Sequence, residues 1–164
     1  MSWYEAINNC AWLTGRIGQE ATVRLPTEEG WKYLAAGGGT IPRPYPWGDE
    51  LPEKNRGNYQ DNEGDTTEVD VYPKGAPQEG GFDMAGNVLE WTRSLWGKDY
   101  KLDFAYPYEK ADGRENLEAP NDVARVLRGG SWSNRNWDAR CASRFGDDPD
   151  LGFYVIGFRV VVSL

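Results

Sequence analysis

The chain has 164 residues, 26 acidic and 18 basic, and no histidine, so its net charge is −8. Twenty glycines and ten prolines without a period argue against a helix bundle or a collagen-like repeat, and eight Trp, nine Tyr and five Phe argue against disorder. The missing histidine excludes a Ser-His-Asp triad and histidine metal ligation. Cys10 and Cys141, far apart and alone, exclude a structural zinc site, and the acid excess argues against nucleic acid as a partner.

The first predicted element is a helix. Ser2 and Glu5 have capping-box spacing, Trp3, Ala6, Ile7, Cys10, Ala11 and Leu13 recur at helical intervals, and Gly15 is the expected stop. Thr27 as N-cap, with Glu28 and Glu29 in the first turn, starts a second helix. It carries Trp31, Leu34 and Ala35 on one side and ends at Gly37-Gly38-Gly39. From Thr40 to Gly81 no period persists except a short extended piece at Val69–Tyr72, and Trp47 and Tyr59 are the expected anchors of this loop region. Leu89 to Trp96 is short and aromatic, and another polar loop runs from Lys98 to Asn121. Val123–Arg128 alternates as a strand, and Gly157–Val162 is the expected closing strand. Neither an internal repeat nor a linker is visible, so residues 1–164 are expected to form one domain. No apolar run reaches a membrane span and the N-terminus shows no signal pattern, which makes a cytoplasmic location the default expectation, or display through another component.

Five motifs follow in order: Arg24-Leu25-Pro26-Thr27-Glu28, Tyr45-Pro46-Trp47-Gly48-Asp49, Asp83 to Thr92, Arg125 to Trp132, and Gly157-Phe158-Arg159. Their order and spacing resemble the formylglycine-generating-enzyme (sulfatase-modifying factor) family. The resemblance spans essentially the whole chain and matches the later part of the family domain. It implies an α+β fold, a loop-rich variant of the C-type lectin fold with two short helices and a small antiparallel sheet. The family's oxidase chemistry uses two copper-binding cysteines just after the Gly-Gly-Ser-Trp motif. Here that stretch reads Ser133-Asn134-Arg135-Asn136-Trp137-Asp138-Ala139-Arg140. A thiolate nucleophile has no substitute in Asn or Asp, so no catalytic residue and no copper are expected. Cys10 and Cys141 match family cysteines whose usual disulfide partners fall at Val160 and Ala35 here, which implies two free thiols.

The segment 125–161 also resembles the variable region of target proteins of diversity-generating retroelements, in which template adenines are randomised. The residues between its frame motifs are Ser133, Asn134, Arg135, Asn136, Asp138, Ser143, Phe145, Gly146, Asp147, Asp148, Leu151, Gly152, Phe153, Tyr154 and Val155. They fit changes at the adenines of an AAC codon, whereas Trp137 needs another template codon or is fixed. Independently, aromatics set among small and polar residues on a rigid support are the composition of a binding face. The same alternation suits a half-buried strand, in which Phe153 and Val155 would be core. Exposure of Phe145, Phe153 and Tyr154 separates the two readings.

The resemblance further implies structural calcium. Asp83 and Glu90 would give side-chain oxygens, and Gly86 and Val88 backbone carbonyls. A second set would be Asn58, the Tyr59 carbonyl and Asp61, with Asp65 as a further candidate. Oxygen donors on flexible loops suit this hard ion. The expected function is therefore a non-catalytic display protein binding a protein or cell-surface ligand, with a formylglycine-generating oxidoreductase or a structural domain of the same fold as alternatives. The oligomeric state is left open.

Overall fold

The computed structural model describes residues 1–18, 20–38 and 41–164. Helix α1 spans Trp3–Ile17 and is opened by the expected capping box: Glu5 N–H donates to Ser2 Oγ at 3.2 Å and Ser2 N–H to Glu5 Oε2 at 2.7 Å. It runs through Gly15 and stops at Gly18, whose φ of 107° suits only glycine and whose N–H bonds Thr14 O. One interior glycine costs about 1 kcal/mol relative to alanine, too little to end a helix whose Trp3, Ala6 and Cys10 are buried along one face. Helix α2 spans Glu28–Ala36, and Thr27 caps it by accepting from Gly30 N–H. Its expected end holds at Gly37, and Gly39 lies outside the described residues.

Strand β1 (Thr22–Arg24) pairs antiparallel with β6 (Val161–Ser163). The second sheet has the order β4-β3-β2-β5, from Phe145–Asp147, Val123–Arg128, Leu89–Lys98 and Ile156–Phe158. It is mixed: β2 pairs antiparallel with β3 and parallel with β5, so the expectation of an antiparallel sheet holds for every pair but one. The expected closing strand is two strands in two sheets. The chain breaks at Arg159, whose guanidinium turns in to meet both oxygens of Glu90 on β2, at 2.5 and 2.6 Å. Val69–Tyr72 is a turn rather than an extended piece, with Asp70 at φ 75°.

Trp3, Ala6, Cys10, Val23, Leu25, Trp91, Leu127 and Ile156 form the main core between α1 and the sheets. Trp31, Ala35, Met84 and Cys141 form a second, and Tyr59, Ala85 and Ala139 a third against which Trp47 packs, so both expected anchors serve. β3 is covered on both faces, and five of its six residues, Ala124–Arg128, are buried, including two arginines. Arg125 lies over the Trp3 ring at 3.9 Å and donates to the carbonyls of Arg93, Asn116 and Leu117. Burial pulls its pKa down to about 10. Arg128 donates to the carbonyls of Cys141 and Ser143. Buried guanidiniums thus satisfy loop carbonyls that a loop-rich chain would otherwise bury unpaired. Among the described residues no helix is long and apolar enough to cross a membrane.

Candidate binding face

After β3 the chain turns back through Gly129 and Gly130, both at positive φ (93° and 73°), where a side chain would be strained. It then runs against a loop from the middle of the sequence. Gln60 N–H donates to Asn134 O at 2.7 Å and Asp61 N–H to Trp132 O at 2.8 Å. Gln60 and Asp61 both hold left-handed backbone, at φ 58° and 53°. Such a pair persists only where its surroundings fix it, and these two bonds do so. Asn134 Oδ1 accepts from Ser131 N–H and Oγ, which closes the turn from within. A one-turn 3-10 helix, Asn136–Ala139, follows and is pinned by buried Ala139.

The result is a pocket of about 380 Å³ lined by Gln60, Asp61, Ser133, Arg135, Asn136 and Trp137. Trp137 is half exposed, and the Arg135 guanidinium lies 4.8 Å from its ring centroid. Tyr154 is 77% exposed and stands 6.0 Å from the Trp132 ring, beside the start of the pocket wall, while Gly152 and Phe153 lie against Met1. Phe153 is 46% exposed, and Leu151 and Gly152 are also exposed. The core alternative is therefore rejected for Phe153.

The structure does not bring every expected contact residue to this face. Phe145 and Val155 pack against the main core, so they support the face rather than form it. Gly146 lies under Trp96, whose Cγ would be 2.3 Å from an added Cβ, so a side chain there needs Trp96 to move. Asn134 spends its amide oxygen within the turn, Ser143 donates to Trp137 O, and Asp138 is half-buried. Asp148 lines a separate pocket of about 180 Å³ with Asp99, Tyr100, Asn121 and Asp122, and Asp147 adjoins it in sequence. Gln60 went unrecognised in the sequence. Its placement depends on a left-handed pair with no sequence signature.

The sequence matches the sulfatase-modifying factor enzyme 1-like domain over residues 1–164. The chain belongs to this family. It is 39% identical over its full length to the serine/threonine-protein kinase pkn1 of Chlamydia pneumoniae, of which it spans 23%. It is 35% identical over 97% of its length to the inactive C-alpha-formylglycine-generating enzyme 2 of Bos taurus, and covers 48% of that protein. Among solved structures, Treponema denticola variable protein 1 superposes with a TM-score of 0.61 at 28% identity, over 86% of this chain and 47% of that one. The chain thus spans about half or less of each of these three relatives, and it shares the fold of the sulfatase-modifying factor family and of a variable protein.

This sulfatase-modifying-factor domain has no cysteine in the Ser133–Trp137 wall of the pocket. Its own thiols lie elsewhere and are buried and unpaired. Burial pushes the Cys141 pKa up to about 12 and raises that of Cys10 as well. Both are therefore thiols, not thiolates, near neutral pH. Trp3, Trp31 and Trp91 are buried, while Trp96 and Trp132 are half-buried. The indoles of Trp3, Trp91 and Trp96 donate to main-chain carbonyls. The Trp31 indole instead donates to Glu90 Oε2 at 2.6 Å, and that of Trp132 is buried without a partner.

The two oxygen sets differ in what their donors already do. Asp83, Val88 and Glu90 line one pocket of about 240 Å³, with Gly86 in the same turn, but both Glu90 oxygens serve Arg159 and one also accepts from Trp31. Asp83 has no ion pair among the described residues and accepts a long bond from Asp70 N–H at 3.4 Å, and burial raises its pKa. In the second set Asn58 is fully buried, and its Oδ1 has no partner among the described residues although its amide donates to Asp65 O at 2.8 Å. An orphaned buried amide oxygen is a donor suited to a hard cation. Asp61 is exposed and lines the binding pocket.

Proposed function

We propose that this domain is a non-catalytic binding protein that presents a changeable face on a fixed frame, with a protein or cell-surface molecule as its ligand. The observation that carries this reading is exposed Trp137 in the wall of the Ser133–Trp137 pocket, with exposed Tyr154 against the ring of Trp132 just before that wall. Tyr and Trp give large contact area at low entropic cost, and here they project from a turn locked by backbone bonds rather than from a free loop. The likeness to a variable protein over 86% of the chain supports a display role, and the 35% identity to an inactive family member is consistent with lost catalysis. Diversification by a retroelement extends the same reading, with positions 133, 135–137, 151, 153 and 154 as its effective targets.

Randomising those seven positions tests the proposal. Most variants should keep the parental unfolding midpoint, and selection on an unrelated immobilised protein should enrich specific binders. General unfolding of the library, or no enrichment, would overturn it. A genomic check addresses the diversification: a near-copy of the DNA for residues 125–161, differing mainly at adenines, should lie beside a reverse transcriptase gene. Oxidation of a cysteine-containing peptide by this domain with copper present would restore the enzyme reading.

Structural calcium is part of the proposal. Asn58 Oδ1 and the Tyr59 carbonyl, with Asp65 nearby, are the better-supported donors. An ion at Asp83, Gly86, Val88 and Glu90 would have to share Glu90 with Arg159. Binding to the native state alone raises the melting temperature by mass action. Chelator should therefore lower it, and added calcium restore it. An unchanged melting temperature with no calcium by elemental analysis rejects the ion.

A further inference from the structure

We infer that the pocket at the centre of the binding face takes a cationic side chain of the partner, an arginine or lysine, and that Asp61 is the fixed residue that receives it. The inference rests on the binding reading above and names the chemistry of the partner. Asp61 lies outside the changeable segment, yet it lines the same pocket as Ser133, Arg135 and Trp137. Its backbone is clamped in place by the bond to Trp132 O, and no hydrogen bond or ion pair to its carboxylate is found among the described residues. The surroundings are acidic: Glu63, Asp65, Glu68 and Asp70 are all exposed on the same loop, in a chain of net charge −8. Such a field draws in positive groups and sets partner choice.

Trp137 supplies the second element. An indole face attracts a guanidinium, and Arg135 already stacks there at 4.8 Å. The pocket wall is therefore shaped to hold a guanidinium, and Arg135 is a resident competitor for that place. Because Arg135 is exposed, it can swing aside when a partner cation enters. A changeable residue thus sets how open the pocket is, while the fixed Asp61 sets the sign of charge it accepts.

Amide chemical-shift titration tests this with N-acetyl-L-arginine methylamide and its neutral isostere, N-acetyl-L-citrulline methylamide. The arginine probe should shift Gln60, Asp61 and Ser133–Trp137 saturably, at least ten-fold more tightly than the citrulline probe. Asp61→Asn keeps a residue that tolerates left-handed backbone, so it should fold and lose that preference. Glu109→Gln, which removes an equal charge from an exposed site off the pocket, should leave the titration unchanged. Arg135→Ser should tighten binding several-fold. Equal shifts with both probes, shifts spread away from the pocket, equal effects of Asp61→Asn and Glu109→Gln, or weaker binding by Arg135→Ser would overturn the inference. Library binders whose affinity ignores Asp61 would also sink it while leaving the binding reading intact.

Discussion

Between Arg125 and Tyr154 the chain holds two kinds of residue that sit close in sequence and far apart in environment. Arg125, Arg128 and Arg144 are turned inward, and Trp137, Phe153 and Tyr154 are turned outward. This inverts the usual rule that charge faces water and large apolar groups do not. The arginines are tolerated inside because every one has fixed partners. Glu28, itself fully buried, receives Arg144 through two bonds at 2.5 and 2.7 Å and lies 3.6 Å from Arg128. Arg144 is further flanked by the rings of Trp96 and Tyr106. The aromatics are tolerated outside because the frame beneath them does not depend on their burial. Polar pegs bonded to main-chain carbonyls support the exposed aromatics without relying on their burial.

The sharpest way to break this contrast is Arg128→Ala. It removes donors to Cys141 O and Ser143 O and a cation beside buried Glu28, so unfolding in denaturant should show a loss of about 3–5 kcal/mol, the cost of splitting a buried pair. Phe145→Ala probes the boundary. Its ring is only partly buried against the main core, so the same measurement should give about 1–2 kcal/mol, below the cost at a fully buried phenylalanine. Tyr154→Ser and Trp137→Ser should each stay within about 0.5 kcal/mol, as for surface positions generally. Comparable losses at Arg128 and Tyr154 would erase the distinction between frame and face. Cys141 gives a check without substitution. With its pKa at about 12 and its side chain buried, a thiol reagent at pH 8 should label neither cysteine until the chain unfolds. Prompt labelling of the native chain would place a reactive thiol where the frame should be closed.

Much of this was legible in the sequence because the signals were local. The Ser2–Glu5 box and the Thr27 cap each rest on a few neighbouring residues and formed, and Val123–Arg128 formed its strand, though buried on both faces instead of alternating. Local signals failed where a distant partner decided. Gly15 reads as a stop, but the buried face of α1 carries the helix on to Ile17. Gly157–Val162 reads as one strand, but Glu90 captures Arg159 and divides it between two sheets. The residues expected to form one contact set are dispersed by the fold: Phe145 and Val155 face the core, Gly146 lies under Trp96, and Asp148 opens on another pocket.

The sequence by itself determined the family and the two helices, since these depend on residue identity and short spacing. Only the tertiary structure decided which residues form one face. Gln60 and Asp61 are more than seventy positions from Ser133 and reach it through two backbone hydrogen bonds and a left-handed turn. Backbone donors carry no mark of their partners in the sequence, so a contact made by main chain across that distance exists only once the chain has folded.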